Sequence, residues 1–408
     1  MVGAGPAGST AAYAAARRGF RVALLDRNTF PRDKTCGDGI GPGAVRVLRD
    51  LGLDGVLAGR SPIASVTVFG PAGARSENPV PVIPGKLTDV FVVPRVEFDE
   101  HLFRAAVEAG AEDLSGARYV GMSAPDDGVR TVEVRDGSGA DRRLRARVVI
   151  GADGAYSAVR KDLVGRDERP DPNFTGIAMR GYAESPDFGA DGGSRSAPSM
   201  LFEFNSDLLP SYGWVFPVGG GTVNVGVGLP IKQLRDRGVD LRLLLAQFAD
   251  RLRERGVELG ELRDQRSHQL PGVVGMPRLA FERAALVGDA ASLINPVSGE
   301  GIAYGMTAAR RLVEALPEPD ELADGRALDV ALAGFERAFR SDYRLHFLSC
   351  RFTMALLRRS ASASVIVRAI QNDPRALDGV FDMLFGDGRL HGATALRIAR
   401  RGLVIRGR

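Results

Sequence analysis

Three short glycine-rich segments, set far apart along 408 residues, restrict the fold of this chain more than any other feature. The first is Gly3-Ala4-Gly5-Pro6-Ala7-Gly8 and the second Gly151-Ala152-Asp153-Gly154. The third, Gly288-Asp289-Ala290-Ala291, runs on to Asn295-Pro296 and Gly299-Glu300-Gly301-Ile302. One such motif recurs by chance. Three in this order describe a single dinucleotide approached from three sides. In the first, Gly3 permits a tight turn that includes Ala7, Gly5 lets the backbone approach a pyrophosphate, and Gly8 lets helix and strand pack closely. The helix that follows turns unpaired N–H groups and its positive dipole end toward the diphosphate. Asp26, with Arg27 beside it, sits where an acidic side chain accepts ribose hydroxyls.

The chain is long enough for two or three domains and apolar enough to fill their cores, at 44% hydrophobic residues. Its 54 basic and 50 acidic residues leave a net charge of +4, too even for a nucleic-acid binder, and no basic run is interleaved with aromatics. Cys36 and Cys350 are the only cysteines, so neither a disulfide framework nor a thiolate zinc site can be built. His101, His268, His346 and His391 stand singly, and no metal site is expected. No apolar run reaches the length of a membrane span. The expectation is a cytoplasmic protein, soluble or peripheral on the membrane.

Residues 6–18 read as a helix of small residues and 21–26 as a buried parallel strand, half of a βαβ unit. Ahead of Gly3 the chain offers only Met1 and Val2 for the first strand. The expectation is a start codon upstream; the alternative is an incomplete crossing of the sheet. A helix over 95–109 is followed by a β-meander over 117–150 with Gly128, Gly137 and Gly139 at its turns. Alternating stretches at 177–182, 201–204, 212–216 and 223–229 read as a separate sheet. Residues 284–315 return as strand, loop and helix, and the chain from about 325 is helical with a basic tail. The fold class is α/β (α+β): a Rossmann-like dinucleotide domain (1–60, 95–170, 276–320), an inserted antiparallel β-sheet substrate domain (61–94, 171–275) and a helical C-terminal region (321–408).

Two carboxylates and one arginine keep two readings each. Asp153, followed by Gly154, lies at the carboxyl edge of a strand, where open α/β sheets bind ligands, but it could equally hold a turn. Asp289 can accept from a ribityl or ribose hydroxyl, or merely turn a corner. Amides around Pro296, Gly299, Gly301 and Ile302 can stabilise negative charge on a reduced flavin ring. Arg95 opens the second helix either as a cofactor contact or as a solvated side chain.

Together these segments resemble the geranylgeranyl reductase family, flavoproteins of the para-hydroxybenzoate hydroxylase fold, from residue 3 to about 315. The most specific stretches are Phe30-Pro31-Arg32-Asp33-Lys34-Thr35-Cys36-Gly37-Asp38-Gly39, Tyr212-Gly213-Trp214-Val215-Phe216-Pro217 and Gly288-Asp289-Ala290-Ala291. Within the family the chain is similar to the actinobacterial menaquinone reductases. The resemblance implies bound FAD and reduction of an isoprenoid double bond in a polyprenyl lipid. It supplies no second nucleotide domain, so the electron donor is expected to be NAD(P)H docking transiently or a reduced carrier acting as redox partner.

Such chemistry needs a hydride donor at one alkene carbon, a proton source at the other and exclusion of water. Cys36, on a loop after the second strand, is the candidate proton donor; as a free cysteine it could also be a small buried hydrophobe. Tyr212, Trp214 and Phe216 alternate along one strand and so share a face. They can line a prenyl slot and stabilise a carbocation, or form an ordinary sheet core. In the tail, Leu396, Ile398, Leu403, Val404 and Ile405 lie among arginines, as in a helix resting on an anionic bilayer or a plain surface helix. A monooxygenase or halogenase of the same fold, and a non-catalytic prenyl-binding protein, are the competing functions.

Overall fold

The computed structural model describes residues 1–165, 171–188, 197–373 and 375–402. Its nucleotide side is built around a short parallel core. Strand Ala23–Asp26 pairs with Glu112–Ser115, and Val149–Gly151 pairs with Ala284–Leu286, both in parallel. Met1 and Val2 join these two pairs. Val2 bridges Leu25 on one side and Gly151 on the other, its amide donating to the Ile150 carbonyl at 2.9 Å, while the Met1 ammonium donates to the Ala23 carbonyl at 2.7 Å. Two residues therefore bridge the gap between the two pairs.

The helix Pro6–Arg17 lies on this sheet because its inner face is almost side-chain-free: Gly8, Ala11, Ala12, Ala14 and Ala15 are buried. That closeness lets it pack between helices Arg95–Glu108 and Ile302–Ala315. The meander forms as expected, in strands Arg118–Met122, Arg130–Arg135 and Asp141–Ala146. Gly128 (φ 71°) and Gly139 (φ 87°) take the left-handed turn positions.

A seven-stranded sheet makes up the second unit, in the order Arg263–Pro271, Thr175–Glu184, Thr222–Pro230, Gly213–Gly219, Ser199–Glu203, Ser65–Phe69, Arg75–Pro79. It is not wholly antiparallel: Ser199–Glu203 runs parallel to Ser65–Phe69. The cause is topological. The 65–79 hairpin enters from a distant part of the chain, and only such a long crossover can set two strands parallel. Alternation sends Val215, Val223, Val225 and Val227 to one face, against the helix Leu241–Glu254, and Trp214 and Phe216 to the other.

Among the described residues four helices follow: Gly325–Leu357, Ser360–Asn372, Arg375–Phe385 and Gly392–Gly402. The last packs along Ser360–Asn372, its Arg401 carbonyl accepting from Asn372 Nδ2 at 3.0 Å, with Ile398 half-buried and Leu396 exposed. Leu403, Val404 and Ile405 of the expected tail helix lie outside the described residues. Among the described residues no helix is long and apolar enough to cross a membrane.

Candidate active site

One cavity of about 660 Å³ runs from the carboxyl edge of the parallel core to the aromatic face of the large sheet. It is lined by segments of all three glycine motifs. At the first, Gly3 has φ 95°, a conformation that favours glycine. Gly5 caps the helix without a side-chain hydrogen bond, so the first amides remain open to the cavity; a Cβ placed on it would meet only Arg32 Nη2, at 3.6 Å. Gly8 does not reach the cavity. Its Cβ would overlap the Gly3 carbonyl oxygen, so it serves helix–strand packing instead of ligand contact. Ala7 lies where the first and third motifs meet, its Cβ 3.2 Å from the position of a Cβ on Gly288.

Asp26 lies at one end of the cavity, fixed by the Ala4 and Asn28 amides, each donating at 2.9 Å, with Arg27 on the rim. The second motif divides. Gly154 (φ 80°) faces open space, but the Asp153 carboxylate is occupied as a helix cap, accepting from Ser157 Oγ, from the Ala158 amide at 2.6 Å and from the Val159 amide at 3.2 Å. Its turn-holding alternative is thus the one observed, although its residue still lines the cavity. Asp289 contrasts with it: among the described residues its carboxylate accepts no hydrogen bond, and it faces the cavity near Gly301, whose Cβ would lie 3.2 Å from Asp289 Oδ1.

Gly299, Gly301 and Ile302 line the cavity where the helix Ile302–Ala315 begins, again without a side-chain cap at Gly301. Pro296 does not line it. The ring lies behind the wall beside Gly272, while its neighbour Asn295 anchors the turn through the Val297 amide at 3.0 Å and the Met383 carbonyl at 3.1 Å. Uncapped helix starts at the first and third motifs, a glycine cradle and an unpartnered carboxylate fit the diphosphate and polyol of FAD. Gly3, Gly5, Ala7, Asp26, Arg27, Gly154, Asp289, Gly299, Gly301 and Ile302 would hold it.

The other end of the cavity carries the chemistry. Gly39–Ile40 pairs with Phe91–Val92, and the Asp38 carbonyl accepts from Val93 at 2.9 Å, which ties the cysteine loop to the start of the helix at Arg95. Cys36 is half-buried there. Burial raises its thiol pKa; the nearby Arg95 guanidinium opposes the rise, and the Asp38 carboxylate adds to it. Arg95 is itself buried and held by Asp99 in a two-point pair, Nε to Oδ1 at 2.6 Å and Nη2 to Oδ2 at 2.7 Å. Its burial overturns the solvated reading, and it lines the cavity near Cys36.

Several groups that sequence reasoning did not single out meet here. Asp38, in left-handed backbone (φ 63°), is fully buried and accepts from Tyr182 Oη at 2.7 Å and Asn224 Nδ2 at 2.8 Å. Burial lifts its pKa to about 6 despite those bonds. Asn224 also donates to the Cys36 carbonyl at 2.8 Å and accepts from Trp214 Nε1 at 2.9 Å. Lys34 is brought down to about 8 by burial against the pull of Asp289, and Glu300, whose Oε1 accepts from the Ala303 amide at 2.9 Å, is pushed up to about 7 by burial. His268, on the rim next to Tyr156, is lowered to about 3 by burial and nearby cations and stays neutral.

The opposite wall is aromatic. Tyr212, Trp214 and Phe216 share a face, with neighbouring centroids 6.1 and 6.2 Å apart, and Phe202 packs edge-on against Tyr212 and Phe216 at 5.3 and 5.2 Å. Phe385, from the C-terminal helices, closes the row at 6.2 Å from Phe202. A Cβ on Gly37 would sit 3.1 Å from the Phe216 ring, so the cysteine loop lies directly on this wall. The Tyr212 hydroxyl is bound to the Ser298 carbonyl.

Residues 1–180 match the FAD binding domain family. The chain is 36% identical over 341 residues to a menaquinone reductase of Mycobacterium tuberculosis, covering 81% of each chain. It is 33% identical over 341 residues to a geranylgeranyl diphosphate reductase of Rhodobacter capsulatus, covering 82% of this chain and 78% of that one. A geranylgeranyl bacteriochlorophyll reductase-like protein from Thermoplasma acidophilum superposes with a TM-score of 0.79 over 98% of this chain and 95% of its own, at 21% identity, a likeness of fold. Sequence identity of this extent, on a scaffold with these three motifs, shows that the chain belongs to the geranylgeranyl reductase family of flavoproteins.

Proposed function

We propose that this chain is an FAD-dependent reductase that saturates a carbon–carbon double bond in the isoprenoid part of a polyprenyl lipid, a menaquinone tail or a geranylgeranyl group. The observation that carries the reading is the position of the Cys36 thiol. It lies on the cavity wall with the Arg95 guanidinium, at the junction of a dinucleotide cradle and an aromatic wall. The names of the relatives support the lipid class.

FAD, when bound, supplies hydride to one alkene carbon. Cys36 holds the proton for the other at Sγ, and burial keeps that proton in place at neutral pH. As the proton leaves, the Arg95 guanidinium meets the thiolate charge, a preorganised stabilisation aimed at charge that develops only during the step. Tyr212, Trp214 and Phe216, backed by Phe202, orient the prenyl chain, exclude water and offer electron-rich faces to positive charge at a tertiary carbon. Residues 61–94 and 171–275 act in this reading as the substrate half, 1–60, 95–170 and 276–320 as the cofactor half. Electrons come from NAD(P)H or a small reduced carrier that docks without a dedicated domain. The substrate is met at the surface of the cytoplasmic membrane.

The test is Cys36→Ser, assayed for two-mass-unit saturation of a prenylquinone. Turnover falls about 100-fold or more while flavin content is unchanged. Full turnover would remove Cys36 as proton donor. Oxygen consumption coupled to reduced nicotinamide, with no saturated product, would favour a monooxygenase or halogenase instead, and a protein that takes up no FAD would favour a prenyl carrier.

A further inference from the structure

The long helix Gly325–Leu357 has two unlike faces. One is buried: Leu328, Leu332, Phe335 and Phe339 enter the nucleotide-side core, while Cys350, Met354 and Leu357 join Val297 and Met383 behind the cavity. The opposite strip exposes Val330 (61%), Leu345 (46%), Leu348 (54%) and Phe352 (57%). At about 100° per residue these four lie within about 60° of one line, and from Val330 to Phe352 they extend about 33 Å along the axis. Single exposed apolar residues are ordinary, but an aligned set on one helix is not.

The charge on this strip is one-sided. Arg337 and Arg344 are exposed on it, and neither forms an ion pair among the described residues. The two acidic residues between 330 and 359 fall off the strip and are engaged by other arginines, Glu336 by Arg340 and Asp342 by Arg311. A second copy of this chain would bring the same cationic, acid-free strip to the interface, with nothing to neutralise it. An anionic lipid surface supplies both missing partners: phosphates for the arginines and acyl chains for the leucines and the phenylalanine.

We propose that this face of the long helix docks the protein on an anionic bilayer, with the helical layer between that bilayer and the apolar end of the cavity. The inference rests on the reading of the substrate as a membrane lipid. It assigns the contact to the long helix and not to the C-terminal helix, which is packed on Ser360–Asn372.

The experiment is sedimentation of the full, FAD-loaded chain with phosphatidylglycerol-rich and with pure phosphatidylcholine vesicles. Binding to the anionic vesicles is expected to exceed binding to the neutral ones about tenfold or more and to fall as salt rises. Leu348→Glu/Phe352→Glu and Arg337→Glu/Arg344→Glu should each lose that binding, while reduction of a short-chain, water-dispersed prenylquinone is unchanged. Equal binding of parent and variants, absence of parental binding, or a concentration-dependent dimer that the variants abolish would each overturn the proposal. Absence of reduction in the dispersed assay with vesicle binding intact would instead strike the proposed activity and leave the docking face standing.

Discussion

Gly5 offers a way to separate a residue needed by the protein from one needed by its ligand. Its backbone, at φ −73° and ψ −174°, is extended and open to any residue, and an added Cβ would touch only Arg32 Nη2 at an ordinary 3.6 Å. Gly5→Ala should therefore leave the flavin-free protein as stable as the parent, or more stable by about 0.4–1 kcal/mol through the reduced freedom of its unfolded chain. The methyl would point into the space that a diphosphate needs for close approach to the helix amides. FAD affinity should fall at least about tenfold, or about 1.4 kcal/mol. Gly8→Ala is the control of opposite kind. Its Cβ overlaps the Gly3 carbonyl and must push the helix from the sheet, with about 1–3 kcal/mol of destabilisation in the absence of any ligand. Denaturant unfolding of the apoproteins and FAD titration by flavin fluorescence measure both quantities. A Gly5→Ala protein that binds FAD as tightly as the parent would mean that no phosphate approaches this turn.

Three further outcomes follow from the opposite end of the cavity. Trp214 is the single tryptophan, and a Cβ on Gly226 would overlap its indole; Gly226→Ala should shift the intrinsic emission, cost about 1–3 kcal/mol and raise KM for prenyl substrate, and unchanged emission would refute the packing. Glu300 has a folded pKa near 7 against an ordinary 4.5, so its contribution is fully present below about 4.5 and is lost as pH rises through 7. Glu300→Gln should gain on the parent by on the order of 2–3 kcal/mol between pH 5 and 8, read as the difference in denaturant midpoints, and a flat difference would contradict the burial. Asn224→Leu strands the Trp214 N–H and takes one hydrogen bond from the Asp38 carboxylate, at about 1–3 kcal/mol, and should lower kcat by loosening the cysteine loop; wild-type stability and kcat would count against that network.

What the chain declared in advance was mostly local. Glycine at a turn, small residues on a helix face and an apolar run before an acid each report one covalent neighbourhood, so the motifs, the meander and the sheet strands were legible. Asp153 shows the limit. A carboxylate that caps a helix and one that meets a ribose look alike until the partner is known, and the only local hint was Ser157 four residues on. Asp99 likewise stands one turn after Arg95, a spacing that suits an ion pair, and could have marked that arginine as braced. The parallel junction of Ser199–Glu203 with Ser65–Phe69 and the arrival of Phe385 at the cavity depend on packing between distant segments, which no window of sequence contains. The raised Glu300 and lowered Lys34 belong to the same class, because burial is a property of the assembled site.

The cysteine makes the point most sharply, because alone it read as a small buried hydrophobe and only the family resemblance made a proton donor an even alternative. A small hydrophobe needs only apolar contacts. Around Cys36 the chain instead concentrates costly polar groups: a buried arginine neutralised by Asp99, a left-handed Asp38, and Asn224. Asn224 bonds the loop carbonyl, the Asp38 carboxylate and the indole at once. An amide suits this position because it must donate to two oxygens and accept from one N–H, which neither a carboxylate nor an alkyl side chain can do. Through it the aromatic wall and the cysteine loop are one unit, so in the proposed reaction a prenyl chain pressing on Trp214 would press also on the loop that bears Cys36. Buried polar networks are tolerated when every member is satisfied, and this one holds sulfur and rings in register on either side of the space where an alkene would lie.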